Sequence, residues 1–225
     1  MSETKIKKDN DFMRTRKVFP LLMSMSVPMM FSMLIQSLYN IVDSIYVSRL
    51  GTDALTAVSL AFPLQNIVLS VAVGIGVGIS STIAIRLGAG KQEEANKAAT
   101  IGIALTVIHC MLFILFGVII TRPFLQLFTS NQSVVEQACD YTYIVLCLSF
   151  GCLLQIAMEK IFQGIGEMKI TMALLATGAM INIILDPILI FGWFGLPALG
   201  VKGAAVATVT GQIIAFLLYI VVYKS

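Results

Sequence analysis

Long apolar segments, separated by short stretches that contain charged residues, proline or glycine, restrict the fold of this chain more than any other feature. Of its 225 residues, 58% are hydrophobic and only 12% are charged. About 20 consecutive apolar residues cross a bilayer as an α-helix, and backbone groups in the hydrocarbon must find their partners within the protein. The sequence therefore predicts an all-α, polytopic membrane protein. Six spans are expected, at about residues 20–47, 55–85, 98–120, 137–158, 170–192 and 203–222.

The basic residues predict the orientation of these spans. With a cytoplasmic N-terminus, twelve of the 15 Lys and Arg residues fall on the cytoplasmic side, and only Arg49, Arg122 and Lys202 fall outside. This asymmetry predicts a multi-pass protein of the plasma membrane with both termini in the cytoplasm. Residues 1–17 would form a cytoplasmic segment and residues 18–225 a six-helix lobe in the lipid bilayer. Because the basic residues are dispersed over the loop ends, the net charge of +3 does not indicate nucleic acid as a partner.

Several other kinds of site are not indicated by the sequence. The four cysteines lie in or beside apolar segments without a CxxC pair, so we expect them to be buried rather than bound to a metal or joined in disulfides. No HExxH, GxSxG or GxGD motif is present, so we expect neither an enzyme nor a bound cofactor. The single histidine, His109, is either a packing residue of the third span or a proton relay.

One face of the first span is polar. Ser32, Gln36, Asn40 and Asp43 follow one another at spacings of four, four and three, and Tyr39 falls on the same side. Such a stripe cannot face lipid at low cost, so we expect it to face the inside of the bundle or a water-filled cavity.

The fifth and sixth spans carry similar chemistry. Asn182 and Asp186 are four residues apart and therefore share a helix face, and Pro187 removes a backbone hydrogen bond beside them. In the sixth span, Thr208 and Gln212 add a hydroxyl and an amide. We expect Gln212, like Ser32 and Gln36 of the first span, to line a cavity.

Two intramembrane carboxylates beside amide and hydroxyl oxygens favour a site for a proton or for a hard cation such as sodium. The candidate sodium ligands are Asp43, Asn182 and Asp186. Pro28 is expected to kink the first helix, as Pro187 is expected to kink the fifth. Two structural alternatives remain at this point: Asp186 only stabilises a kink, or Asp43 lies at a water-exposed helix end.

Patterns of small residues predict where helices pack closely. Gly74 and Gly78 form a GxxxG motif in the second span. A run of Gly203, Ala204, Ala205 and Ala207 opens the sixth span. We expect a close helix contact at each.

Four segments together resemble the multidrug and toxic compound extrusion (MATE) family. They are DSIYVSRLGTDALTAVSLAFP, RLGAGKQEEANKA, NIILDPILIFG and PALGVKGAAVATV, and the resemblance extends over nearly the whole chain. It implies one lobe of the flippase-like superfamily fold and a secondary transporter that exports organic, often cationic, compounds in exchange for protons or sodium. It also implies a cation site in the N-terminal lobe. The matching residues are Pro28, Tyr39, Asp43, Asn182 and Asp186, with Asn40 on the same cavity face and Thr208 matching a sixth-helix threonine.

Length distinguishes this chain from the family it resembles. Family members have twelve spans in two similar lobes with the substrate cavity between them, whereas six are expected here. The expected partners are therefore small drug-like substrates and either a missing C-terminal lobe or a second copy of this chain. The chain would be a fragment, a truncated product or a functional half.

Other functions remain as alternatives. A lipid-linked saccharide flippase of the same superfamily would be expected to have basic residues for a pyrophosphate, whereas the predicted membrane interior here contains acids and no Lys or Arg. A truncated, non-transporting membrane subunit would show neither ion-dependent drug binding nor transport.

Overall fold

The computed structural model describes residues 17–224, and these form seven α-helices, one 3-10 turn and no strand. The helices are α1 (Val18–Ser48), α2 (Thr52–Gly88), α3 (Gln92–Gln126), α4 (Gln132–Cys147), α5 (Ser149–Gly164), α6 (Met168–Phe191) and α7 (Val201–Lys224), and the 3-10 turn is Trp193–Gly195. The predicted all-α membrane architecture is confirmed. The predicted N-terminal cytoplasmic segment, apart from Lys17, lies outside the described residues.

Five of the described helices are long and apolar enough to cross a membrane, and α4 with α5 makes a sixth if the bent pair is one span. These two helices meet at Leu148 with a bend of 46°. The predicted fourth span, residues 137–158, therefore contains a bend that its apolar sequence does not indicate. Other helices extend beyond the predicted apolar segments, because polar residues continue each helix past the hydrocarbon. For example, α3 begins at Gln92 rather than near residue 98.

The helices form two packed groups. α1 packs mainly against α6, which in turn packs against α7. α2 packs against α3, α4 and α5, and α7 joins the two groups through its contacts with α4 and α5. Most of α1 is exposed in the described part of the chain, and only Pro28, Ser32 and Val47 are buried there.

Small side chains allow α7 to approach α6, as the sequence predicts. Gly203, Ala204, Ala205 and Ala207 are all buried. A Cβ atom added to Gly203 would lie 2.5 Å from the Leu189 carbonyl oxygen, so no larger residue fits without movement of the backbone. The prediction of close packing at the start of the sixth span is confirmed.

The prediction of close packing at Gly74 and Gly78 is wrong for the described part of the chain. A Cβ atom added to either glycine would meet no other atom within 4 Å. Gly76, which lies between them, makes the close contact instead, because a Cβ atom there would lie 2.5 Å from the Lys160 side chain. The GxxxG spacing was correct for a helix face, but no neighbouring atom packs against α2 at these two positions.

Replacing Gly203 with valine is expected to lower the thermal stability of the purified chain. The added side chain would collide with the α6 backbone, and overpacking of this kind costs about 1–3 kcal/mol. Thermal unfolding in detergent measures the effect, with Gly74→Val as the matched control on an open helix face. Equal melting temperatures for the two variants would contradict the proposed tight contact.

Candidate functional site

A cavity of about 230 Å³ lies among the helices, with every helix except α3 contributing to its wall. Its polar lining includes Gln36, Tyr39, Asn40, Asp43, Gln65, Asn66, Tyr141, Ser149, Gln155, Glu159, Asn182, Thr208 and Gln212. Among the described residues, the lining contains two acidic side chains and no Lys, Arg or His. The part of the wall that this chain forms is therefore acidic.

The predicted polar stripe of α1 faces this cavity. Gln36, Tyr39, Asn40 and Asp43 all line it, since α1 presents this face towards the rest of the bundle. The Asp43 side chain is partly buried, and its Oδ1 atom has no hydrogen-bond partner among the described residues. Ser32 is an exception: it does not line the cavity.

The hydroxyl of Ser32 is used within α1 instead. It is buried and donates a hydrogen bond of 3.0 Å to the Pro28 carbonyl oxygen. The prediction that Ser32 lines the cavity is therefore wrong, because a local backbone acceptor satisfies its donor one turn earlier. α1 continues through Pro28 and α6 through Pro187 without a break in the α-helix, and kinks at these positions stay predictions.

Asp186 lies behind the cavity wall rather than on it. It has no exposed surface, and one of its oxygens, Oδ1, lies 3.4 Å from the Nδ2 atom of Asn182. The same Asn182 nitrogen lies 3.4 Å from the Thr208 hydroxyl oxygen. Because Asn182 lines the cavity, it connects the buried carboxylate with the open space.

Four acceptor oxygens near this position have no donor among the described residues: Asp43 Oδ1, Asn182 Oδ1, Asp186 Oδ2 and Gln212 Oε1. Buried acceptors without donors are costly in an apolar environment. A proton on a carboxylate or a hard cation among the oxygens would remove this cost. No group of three or more His, Cys, Asp or Glu residues that could hold a metal ion occurs in residues 17–224.

The sequence did not predict that Glu159 lines the cavity. Its Oε1 accepts a 2.8 Å hydrogen bond from Gln163 and pairs with Lys160 at 3.4 Å. The Lys160 ammonium also donates to Gln163 Oε1 at 2.9 Å. Ser149, Cys152, Gln155 and Glu159 recur at helical spacing along α5, and this periodicity was the signal that could have found the residue.

A second polar contact was also not predicted. The Gln65 side-chain nitrogen of α2 donates to the Tyr141 hydroxyl of α4 at 3.3 Å, and both residues line the cavity. Seventy-six positions separate them, so no local pattern indicates the pair. His109, in contrast, contacts the Leu105 carbonyl oxygen on its own helix and does not line the cavity.

Comparisons with known proteins agree with this architecture. The family model of MatE matches residues 28–188. The probable multidrug resistance protein YoeA of Bacillus subtilis is 33% identical over 200 residues, which cover 88% of this chain and 43% of that protein. A FAD transporter of Shewanella oneidensis is 29% identical over 220 residues, which cover 96% of this chain and 48% of that protein. A solved structure of a MOP superfamily transporter from Pyrococcus furiosus has a TM-score of 0.83 at 32% identity, and the match covers 88% of this chain and 43% of that one.

The chain thus spans less than half of the length of each of these three proteins. The matched region contains both aspartates of the predicted cation site, Asp43 and Asp186, and most of the helices that form the cavity. The family match, the relatives and the shared helical fold all support one assignment. The chain belongs to the multidrug and toxic compound extrusion (MATE) family.

Proposed function

We propose that this chain forms one lobe of a secondary transporter that exports organic compounds in exchange for protons or sodium ions. The observation that carries the proposal is the fully buried Asp186, which has an unpartnered oxygen beside the cavity residue Asn182. Intramembrane carboxylates are costly to retain and commonly mark ion pathways. The coupling ion would bind here, either as a proton on a carboxylate or as sodium among the surrounding oxygens.

Coupling requires that the ion and the substrate prefer different conformations of the transporter. Asp43 belongs to α1 and Asp186 to α6, the helix against which α1 mainly packs. Neutralising either carboxylate would change the electrostatic energy of this helix contact. We infer that ion binding alters the position of α1, and with it the shape of the cavity wall that the substrate contacts.

The acidic wall favours organic cations as substrates. Asp43 and Glu159 lie on the lining, and among the described residues no basic side chain does. The relative in Shewanella oneidensis is described as a transporter of FAD, a compound with a pyrophosphate group. A pyrophosphate calls for Arg or Lys partners, which this wall does not supply, and the same argument disfavours a lipid-linked saccharide.

A second lobe would complete the cavity. Asn40 and Phe62 line it, yet both are exposed in this chain, so the wall is open on one side. The relatives are about twice as long as the matched segment, and repeat transporters place their binding sites between repeats. We propose that the second wall comes from a further six-helix lobe or from a second copy, with both termini of this chain in the cytoplasm.

Replacing Asp186 with asparagine in a complete transporter that contains this chain is expected to abolish export driven by an ion gradient. The amide cannot be ionised, so it can neither take up a proton nor provide a negative charge for a sodium ion. Transport of a fluorescent organic cation into proteoliposomes measures the effect. Asp140→Asn is the matched control, because Asp140 lies outside the cavity and pairs with the exposed Lys202 at 3.1 Å.

The same proteoliposomes identify the coupling ion. A pH gradient without sodium drives uptake if protons are exchanged, and a sodium gradient at equal pH drives it if sodium is exchanged. Full gradient-driven transport by the Asp186→Asn variant would refute the coupling role of this carboxylate.

Replacing Glu159 with glutamine is expected to weaken binding of organic cations by about tenfold, as the loss of one charge-assisted contact would. A neutral substrate of similar size should bind the variant and the parent equally well, and this comparison separates an electrostatic effect of Glu159 from a change in the shape of the cavity. Equilibrium binding of the two substrates to the purified transporter measures both effects. Equal weakening for the neutral and the cationic substrate would show that Glu159 has only a structural role.

A further inference from the structure

A second open space lies on the other side of α2, away from the proposed transport cavity. It is a groove of about 530 Å³ between α2 and α3. Ile75, Gly78 and Thr82 line it from α2, and Ile101 and Leu105 line it from α3. Its walls are therefore mostly apolar, and nothing in the proposed exchange of ions and substrates uses it.

Glycine at position 78 leaves the groove open. A Cβ atom added to Gly78 would meet no atom within 4 Å, so the space above it is free. Deeper in the groove the two helices touch, because a Cβ atom on Gly102 would lie 2.5 Å from Ile79. This close contact forms the bottom of the groove. Because glycine has no side chain, the space above Gly78 stays open.

The groove has the length of one leaflet of a membrane. Ile75 and Arg86 are eleven positions apart along α2, and Glu94 and Leu105 are eleven positions apart along α3. At 1.5 Å per residue each wall is about 16 Å long, close to half of the ~30 Å hydrocarbon core of a bilayer. An acyl chain that enters at the loop end of the groove would extend to the opposite, apolar end of the groove, near the bilayer centre.

The mouth of the groove, at the loop between α2 and α3, carries basic side chains. Arg86 pairs with Glu94 at 2.8 Å, and Lys91 pairs with the same carboxylate at 2.9 Å. Lys97 also lines the mouth and forms no ion pair within the described residues. Three cations against Glu94 and the neighbouring Glu93 leave one net positive charge at this end of the groove.

The existing ion pairs at the mouth do not prevent a new anion from binding. The side chains of Arg86 and Glu94 are 44% and 42% exposed, and exposed ion pairs contribute only about 0–1 kcal/mol. A phosphate group could therefore replace Glu94 as the partner of Arg86 at a small cost in free energy. The same phosphate could also contact Lys97. Basic pockets between membrane helices bind anionic headgroups in this way.

The groove is separate from the cavity that a second lobe would complete. No residue lines both spaces, and α3 borders the groove but does not contribute to the cavity wall. A lobe packed over the cavity would thus leave the groove accessible to lipid.

We propose that the groove between α2 and α3 binds one anionic phospholipid. The phosphate contacts Arg86 and Lys97 at the mouth, and one acyl chain lies along Gly78. The lipid belongs to the leaflet on the side of the loop between α2 and α3, which is the cytoplasmic leaflet in the orientation predicted from the basic residues. The proposal does not depend on the transported substrate or on the coupling ion.

Native mass spectrometry of the purified full chain, titrated with dioleoyl phosphatidylglycerol, tests the proposal. Dioleoyl phosphatidylcholine provides the zwitterionic comparison, and inorganic phosphate tests the headgroup anion alone. We expect one phosphatidylglycerol to bind more tightly than phosphatidylcholine, and inorganic phosphate not to displace it.

Removing one basic partner, by Arg86→Gln or Lys97→Gln, should weaken binding about fivefold, since each juxtamembrane cation contributes about that factor. Glu94→Gln, which removes the competing carboxylate, should strengthen it.

Two matched controls separate this groove from lipid binding elsewhere. Gly78→Leu should fill the channel and displace the lipid, whereas Gly74→Leu, on an equally open position outside the groove, should not. Lys202→Gln removes a basic residue far from the groove and should leave binding unchanged. Circular dichroism confirms that each variant is folded, and the charge variants decide the question if Gly78→Leu is not.

Equal affinity for the two lipids would overturn the proposal. So would unchanged phosphatidylglycerol binding in the Arg86 and Lys97 variants, or displacement of the lipid by inorganic phosphate, which would indicate a site for free anions.

Discussion

Burial of a carboxylate within an apolar helical bundle is the constraint on which the arrangement of this lobe depends. Asp186 has no exposed surface, and an ionised group there needs polar neighbours or a bound cation. Asn182 supplies one amide nitrogen, which also lies within 3.4 Å of Thr208 on α7. That distance depends on the close approach of the two helices at Gly203 and at Gly211, where any side chain would meet the α6 backbone. The small residues of α7 therefore allow the helix contact that brings the polar residues of α6 close to Thr208.

The sequence predicted the polar face of α1 well, and the reason is physical. A spacing of three and four residues in an otherwise apolar helix can point only to one side, and Gln36, Tyr39, Asn40 and Asp43 do share the cavity. The same pattern failed for Ser32, because a hydroxyl can be satisfied by its own helix backbone.

Contacts between helices were harder to predict from the sequence. Glu159 follows the predicted end of the fourth span at residue 158, so it resembled a residue of the membrane surface, whereas α5 continues to Gly164 and carries it into the cavity wall. The pairing of Gln65 with Tyr141 depends on how α2 and α4 pack, which no local periodicity records. The GxxxG motif at Gly74 and Gly78 shows the same limit: spacing defines a helix face but not what that face contacts.

Two faces of α2 have different surroundings: one borders the polar cavity, and the other borders the groove proposed to hold a lipid. It has 37 residues and is about 55 Å long, more than a ~30 Å hydrocarbon core requires, so its end at Arg86 extends to the membrane surface. Gln65 and Leu69 face a polar cavity that must change shape if ions and substrates are exchanged. Gly78 and Thr82 face the opposite side, where the proposed lipid would be held between α2 and α3.

No residue lines both the cavity and the groove, and the energetic effects of well-separated sites usually add. Substitutions on the lipid face should therefore leave the ion site intact, unless α2 moves as a rigid body during transport. A lipid wedged between α2 and α3 would then move with the lobe, and lipid composition would influence the rate of exchange without altering its ion specificity.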